Sequence, residues 1–133
     1  MELQALKKSD GKIWLVNGDI SRVMETGDSV IELPENWQQP NMKFRDYWRE
    51  SAGNIVVDML LARTQKMVEI RAERDKRLLE TDAEWVELSS KGLSLTALNT
   101  KKQTLRDITI SAQTAVNAET NANILETYQP IWP

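Results

Sequence analysis

The stretch IRAERDKRLLETD, residues 70–82, decides how the rest of the chain is interpreted. It closes a long apolar periodicity that begins near Asn54, and it carries charges of both signs. Thr81 and Glu84 have the spacing of a capping box, in which a Thr side chain and a Glu three residues later bind each other's free backbone N–H groups. The sequence therefore predicts one long helix over about 54–80 and a new helix from Asp82.

Composition narrows the classes of function. The 133 residues suit one domain with a small appended piece, and the net charge of −3 gives no electrostatic reason to bind nucleic acid. Cysteine and histidine are both absent, which removes thiolate chemistry and the commonest general base and metal ligand. No segment is long and apolar enough to span a membrane. We expect a protein that is not an enzyme, with no cofactor, no metal, no nucleic acid and no membrane among its partners.

The N-terminal third reads as a small sheet. Residues 1–11 look like an arm, and three strands are expected at 13–16, 20–24 and 29–33. Asn17-Gly18 is a strong hairpin signal, because both central residues of a type I′ turn need a positive φ. The sequence thus predicts an antiparallel β-meander that either packs on a helix or adds its edge to a partner's sheet. The linker that follows contains Trp37.

An aromatic cluster follows that linker. Phe44, Tyr47 and Trp48 have the spacing of one helical face within 42–49. Such a cluster belongs to a core or to an interface. Interleaved Arg and aromatic residues also suit single-stranded nucleic acid, but the acidic balance of the chain opposes that use.

The C-terminal half is predicted to be helical. A short helix carrying Trp85 should end at Gly92, and Ser94 should cap a third helix that runs through Ile108. The small polar residues of 109–123 are expected to form a frayed helix or an arm on a partner. Trp132 should dock on the helices or on another subunit, since its apolar surface favours burial.

These elements give an α+β fold. Residues 1–40 form an N-terminal β-meander with its linker, and residues 41–133 form a mainly helical module with one long helix and a helical hairpin. A heptad test on the long helix allows self-association as a coiled coil without demanding it.

Three segments carry a resemblance to a known family. They are RDKRLLETD at 74–82, LRDIT at 105–109 and the terminal Trp132-Pro133. Together they resemble the C-terminal half of bacteriophage tail assembly chaperone-like and tail fibre assembly proteins, over about residues 68–133. The sequence departs from the family pattern where Ala83 and Glu84 intervene before Trp85, and where the stretch from residue 109 to 130 is longer.

The resemblance implies a protein made in the host cytoplasm that acts through protein–protein contacts in tail or tail-fibre assembly. The alternative is a structural subunit kept in the virion tail as an adaptor, hinge or channel-lining component, which the longer arm would suit. The expected partner is a tail or tail-fibre protein, and a homo-oligomer is allowed. Partner-binding candidates are the aromatic and arginine side chains of both halves: Phe44, Tyr47, Trp48, Arg74, Trp85, Arg106 and Trp132.

Overall fold

The computed structural model describes residues 3–133. The chain divides into two compact units, one ending at Ala62 and the other beginning at Arg63. Residues 41–62, which the sequence grouped with the helical module, fall in the first unit.

The first unit contains a three-stranded antiparallel sheet with the order β2-β1-β3. Its strands are β1 (Leu3–Lys7), β2 (Ile13–Asn17) and β3 (Ser29–Ile31). The expectation that residues 1–11 form an arm is wrong for residues 3–7, which form the central strand. Ala5 and Leu6 are both fully buried, so this strand buries both of its faces and lacks the alternation that marks a half-exposed strand.

The strand expected at 20–24 is also wrong. Ile20–Arg22 is a 3₁₀ turn, and its cap Asp19 accepts hydrogen bonds from the Ser21 N–H at 3.0 Å and the Ser21 hydroxyl at 2.6 Å. A type I′ hairpin does not form at Asn17-Gly18, because only Gly18 has a positive φ, of 112°.

The type I′ conformation occurs instead at Ala52-Gly53, whose φ angles are 52° and 78°. These two residues join β4 (Trp48–Ser51) to β5 (Asn54–Val57) in an antiparallel hairpin. The helical face expected at 42–49 is therefore wrong: Met42–Tyr47 is a 3₁₀ segment and Trp48 opens a strand.

The first core lies against these strands. It consists of five buried residues, with Trp37 among the partly buried side chains packed on them: Ala5, Ile13, Ile31, Trp48 and Ile55. A clamp also holds the loops of this unit. The Asp28 carboxylate accepts hydrogen bonds from Lys8 Nζ at 2.5 Å and from the Ser9 and Glu25 backbone N–H groups at 3.0 and 2.8 Å.

The long helix, α1, runs from Met59 to Ser90. It starts after Asp58, whose side chain accepts hydrogen bonds from the Leu60 and Leu61 N–H groups, so the helix does not begin near Asn54 as expected. The break expected at 81–84 is wrong. Thr81 is buried inside α1, and its hydroxyl donates to the Leu78 carbonyl at 2.7 Å instead of capping a new helix.

The predicted cap at Gly92 is confirmed. Gly92 has a φ of 66°, its N–H donates to the Ser89 carbonyl, and the Leu93 N–H donates to the Leu88 carbonyl. These two bonds form a Schellman motif, which ends α1 and turns the chain.

The helices α2 (Thr96–Ala118) and α3 (Ala122–Thr127) complete the second unit. Asp82 pairs with Lys102 at 2.9 Å and the Arg71 guanidinium donates to Gln113 at 3.3 Å, so partner numbers fall along α2 as they rise along α1. The two helices are therefore antiparallel. Most of the stretch 109–123 belongs to α2, where Ala112 and Val116 are fully buried.

The α+β class is confirmed: an N-terminal antiparallel sheet precedes a mainly helical module with one long helix and a helical hairpin. Buried side chains line the hairpin from both helices and from α3: Lys66, Met67, Ile70, Thr81, Leu98, Leu105, Ile108, Ala112, Val116 and Leu125.

Candidate partner-binding surface

The C-terminal segment, residues 119–133, follows α2 and packs along α1. The Arg63 guanidinium donates two hydrogen bonds to the Glu119 carbonyl, at 3.1 and 2.7 Å. Further along α1, Lys66 Nζ donates to the Glu126 carbonyl at 2.8 Å. Two cationic side chains of α1 thus hold backbone carbonyls of the returning segment, and charge-assisted bonds of this kind are stronger than neutral ones.

Trp132 docks at the end of this segment. The Arg77 guanidinium carbon lies 4.6 Å from the centroid of the Trp132 ring, within the range of a cation–π contact. The indole N–H of Trp132 donates to the Gln129 side chain at 3.3 Å. The predicted docking of Trp132 on the helices is therefore confirmed, and the neighbouring Ile131 points away, with 94% of its surface exposed.

A cavity of about 430 Å³ lies beside Trp132. Its charged lining mixes both signs, so it has no strong preference for an anion or a cation. The lining residues are Lys66, Glu69, Ile70, Glu73, Arg77, Gln129 and Trp132. Lys66 is almost fully buried, which is rare for a lysine. Its aliphatic stem occupies a position that an uncharged side chain usually takes.

Trp85 lies on α1 near the connection to α2. Its side chain is 40% exposed, and Lys102 Nζ lies 6.0 Å from its ring centroid. Asp82 fixes the position of Lys102 through their 2.9 Å ion pair. Trp85 is therefore a half-covered aromatic surface held by a neighbouring cation.

The two predicted arginines have different surroundings. Arg74 pairs with its neighbour Asp75 at 2.9 Å, and Asp107 accepts a hydrogen bond from Gln103. Arg106 is exposed. The polar contacts of these charged residues are thus distributed along α1 and α2 and do not form one group at the connection, residues 91–95.

The three aromatic candidates of the first unit lie mostly inside it. Phe44 is 1% exposed and Trp48 is 4% exposed, with the Trp48 indole N–H donating to the Asn41 carbonyl at 3.1 Å. Tyr47 is half-buried, and its backbone carbonyl accepts from the Asp58 N–H. Phe44 and Trp48 are core residues in the folded chain, so they cannot contact a partner directly and can only stabilise the residues that do.

Sequence reasoning missed Trp14 as an exposed aromatic residue. It is 48% exposed, and Lys8 Nζ lies 4.6 Å from its ring centroid. Trp14 also lines a second cavity of about 430 Å³ in the first unit, together with Met42 and Arg45. Trp14 lies in an apolar run of sequence, which predicted that its side chain would be buried. In the strand β2, successive side chains point to opposite faces of the sheet, so Trp14 points outward.

Sequence reasoning also missed Lys66 and Arg77 as the residues that hold the C-terminal segment. Arg77 lies in the quoted stretch, but nothing in the sequence connects it to a tryptophan 55 positions later. No local sequence pattern indicates that Lys66 contacts the C-terminal segment.

Two other kinds of site are absent from residues 3–133. Within residues 3–133, no group of three or more Asp, Glu, His or Cys side chains is arranged to hold a metal ion. Over the same residues, no helix combines the length and apolar character needed to cross a membrane. Comparison with protein-family models, curated proteins and solved structures finds no match for the chain.

Proposed function

We propose that the protein is a bacteriophage tail or tail-fibre assembly factor that works through protein–protein contacts. One observation carries the proposal: the segments with the family resemblance meet in one unit. Arg77 from the first segment stacks on Trp132 from the last. Leu105, from the middle segment, is fully buried in the same unit. Two of the three segments are thus in direct contact, and the third contributes a fully buried residue to the same unit, which supports a shared structural origin for the three segments.

The proposed contact points are Trp85 and Trp132. Tryptophan and arginine are enriched among the residues that contribute most to protein–protein affinity. Both indoles are already held by cations of the same chain, Lys102 and Arg77, so less conformational freedom is lost when a partner binds. The partner is a tail or tail-fibre protein.

The alternative, a subunit retained in the virion, had its support in a long arm at 109–123. Residues 109–118 belong to α2, and Ala112 and Val116 are buried in the hairpin. An arm that is already packed in the monomer is less available to dock on a virion. The structure therefore supports the assembly role more than the retained subunit.

Deletion of the gene from the phage tests the proposal. We expect particles that lack fibres or tails by electron microscopy, and wild-type particles in which mass spectrometry of purified virions does not find the protein. A defined copy number in finished particles would support the retained subunit. Normal, infectious particles from the deletion phage would contradict both roles.

Complementation with point variants tests the contact points. Trp132→Ala should lower the yield of fibred particles, whereas Ile131→Ala, one position away and 94% exposed, should restore it fully. Circular dichroism must show that Trp132→Ala retains the helical fold. If the folded Trp132→Ala variant complements as well as Ile131→Ala, Trp132 is not a partner contact.

A further inference from the structure

The helix α1 carries a second apolar row on its exposed side. Val68, Leu79 and Val86 expose 52%, 71% and 62% of their surface. With Ala72, they lie within about 40° of one another around the axis of a helix with 3.6 residues per turn. We call these four residues the outer stripe.

The opposite side of α1 is the one used by the fold. Met67, Ile70 and Thr81 are buried there, at positions about 120–180° from the outer stripe. A surface helix of a globular protein needs only one apolar face. The outer stripe therefore lies away from the most deeply buried side of α1, and its spacing of 4, 7 and 7 residues matches a heptad seam.

We propose that a second copy of this chain covers the outer stripe, with the two α1 helices antiparallel. The charge pattern beside the stripe is compatible with one orientation of a second copy and opposes the other.

A parallel, in-register pair places like charges together. Asp75 and Asp82 occupy seam positions, so each would face its own counterpart. Arg71 and Lys76 are five residues apart on opposite flanks, and that spacing brings them together across a parallel pair. Like charges at these positions repel, which disfavours the parallel dimer.

An antiparallel pair places opposite charges together. With the two-fold axis between residues 73 and 74, Val68 lies opposite Leu79 of the second copy. The same register brings Glu69 next to Lys76 of the second copy. Two-fold symmetry repeats each contact, so two apolar layers and two ion pairs form. Between the two apolar layers, Asp75 of each copy lies opposite the small Ala72 side chain of the other copy. Neither carboxylate therefore faces a like charge in its own layer, and each is paired with Arg74 of its own chain at 2.9 Å.

Sedimentation equilibrium over a range of concentrations tests the dimer. Leu79→Glu should weaken self-association at least about tenfold, because it places a carboxylate where the dimer buries a leucine, and two-fold symmetry repeats the substitution. Ile110→Glu on α2 is the matched control, since Ile110 and Leu79 are both 71% exposed. It should leave self-association unchanged. A chain that stays monomeric at every concentration, or a Leu79→Glu variant that dimerises like the parent, overturns the proposal.

Cross-linking tests the orientation. The chain has no cysteine, so Val68→Cys and Leu79→Cys each introduce one thiol. When the two variants are mixed and mildly oxidised, the antiparallel register favours the mixed disulfide, because the two thiols face each other across the seam. If each variant instead cross-links mainly to itself, the antiparallel arrangement is wrong.

Discussion

Lys66 shows at the scale of single residues how the second unit holds its C-terminal segment. Its side chain is 1% exposed, and its ammonium group donates to the Glu126 carbonyl. Lys66→Ala removes this bond and the packing of a buried stem, so we expect a loss of about 3 kcal/mol in the free energy of unfolding. Lys66→Met keeps most of the stem and should cost less. Urea denaturation measures both values, and a Lys66→Ala variant within about 0.5 kcal/mol of the parent would contradict the role of this anchor.

Asp28 gives the first unit a dependence on pH. The pKa of the Asp28 carboxyl is lowered, most of all by its hydrogen bond from the Lys8 ammonium and next by the one from the Glu25 backbone N–H. The hydrogen bond between Lys8 and Asp28 also raises the pKa of Lys8. A carboxyl with a lowered pKa stabilises the fold above the pKa of the unfolded chain, about 4, and this contribution is lost as the pH falls through the folded pKa. The raised pKa of Lys8 adds stability that is lost only in strong base.

The corresponding variant is Asp28→Asn. Its urea midpoint should be lower than that of the parent at pH 7, and the difference should narrow as the pH falls below about 4. A difference that stays constant from pH 7 to pH 2.5 would show that the ionised carboxylate is not what stabilises this clamp.

Ala52 stands in a conformation that L-residues avoid. Its φ is 52° in the type I′ turn between β4 and β5, where Asn-Gly is the favoured pair. Ala52→Asn should therefore raise stability by about 0.5–1 kcal/mol. Ala52→Val, which is β-branched, should lower it, and an Asn variant less stable than the parent would argue against this turn type.

At the scale of elements, the continuity of α1 through residues 81–84 can be tested with proline. Ala83 is exposed within α1. In a helix interior Ala83→Pro should cost about 3 kcal/mol, because proline removes a hydrogen bond and clashes with the preceding turn. If a helix instead began near Asp82, proline would fall in its first turn and be tolerated. Ala83→Gly is the control, with an expected cost of about 1 kcal/mol in thermal or urea unfolding.

The elements that sequence patterns missed share a physical cause. The Thr81–Glu84 spacing is a valid local capping signal, but burial of Thr81 in the hairpin favours a continuous helix. β1 has two adjacent buried residues, Ala5 and Leu6, so it lacks a strand's alternation. The end of α2 places Ala112 and Val116 at buried positions among small polar residues, which gives little contrast in hydrophobicity. Each outcome depends on a neighbour distant in sequence.

The features predicted correctly depend on local signals. Gly92 has the conformation that a helix C-cap requires, and the third helix predicted through Ile108 is present as α2, with Leu98 and Leu105 also buried. For the candidate surface, the apolar surface of Trp132 predicted docking on the helices or on another subunit, and the structure shows the contact with α1. The partner of its ring, Arg77, could not be identified because the contact joins two segments 55 residues apart.

At the scale of the whole molecule, the chain is expected to contain a helical unit that folds without the sheet. Three contacts within the second unit join its parts: Arg63 and Lys66 bind carbonyls of its C-terminal segment, and Lys102 joins α2 to α1. We therefore expect a fragment of residues 58–133, which keeps Asp58 as the cap of α1, to be helical and to unfold cooperatively.

Circular dichroism during a thermal melt of that fragment gives the measurement. A chain of this size buries a smaller share of its surface than a larger domain, so the fragment should melt at a lower temperature than the full chain but still in one sharp transition. Leu105→Ala is the control, because truncating this fully buried leucine should cost about 2–5 kcal/mol and abolish the transition in so small a unit. A gradual loss of helix in the parent fragment, without a transition that Leu105→Ala removes, would show that the hairpin needs residues from the first unit to hold its packed core.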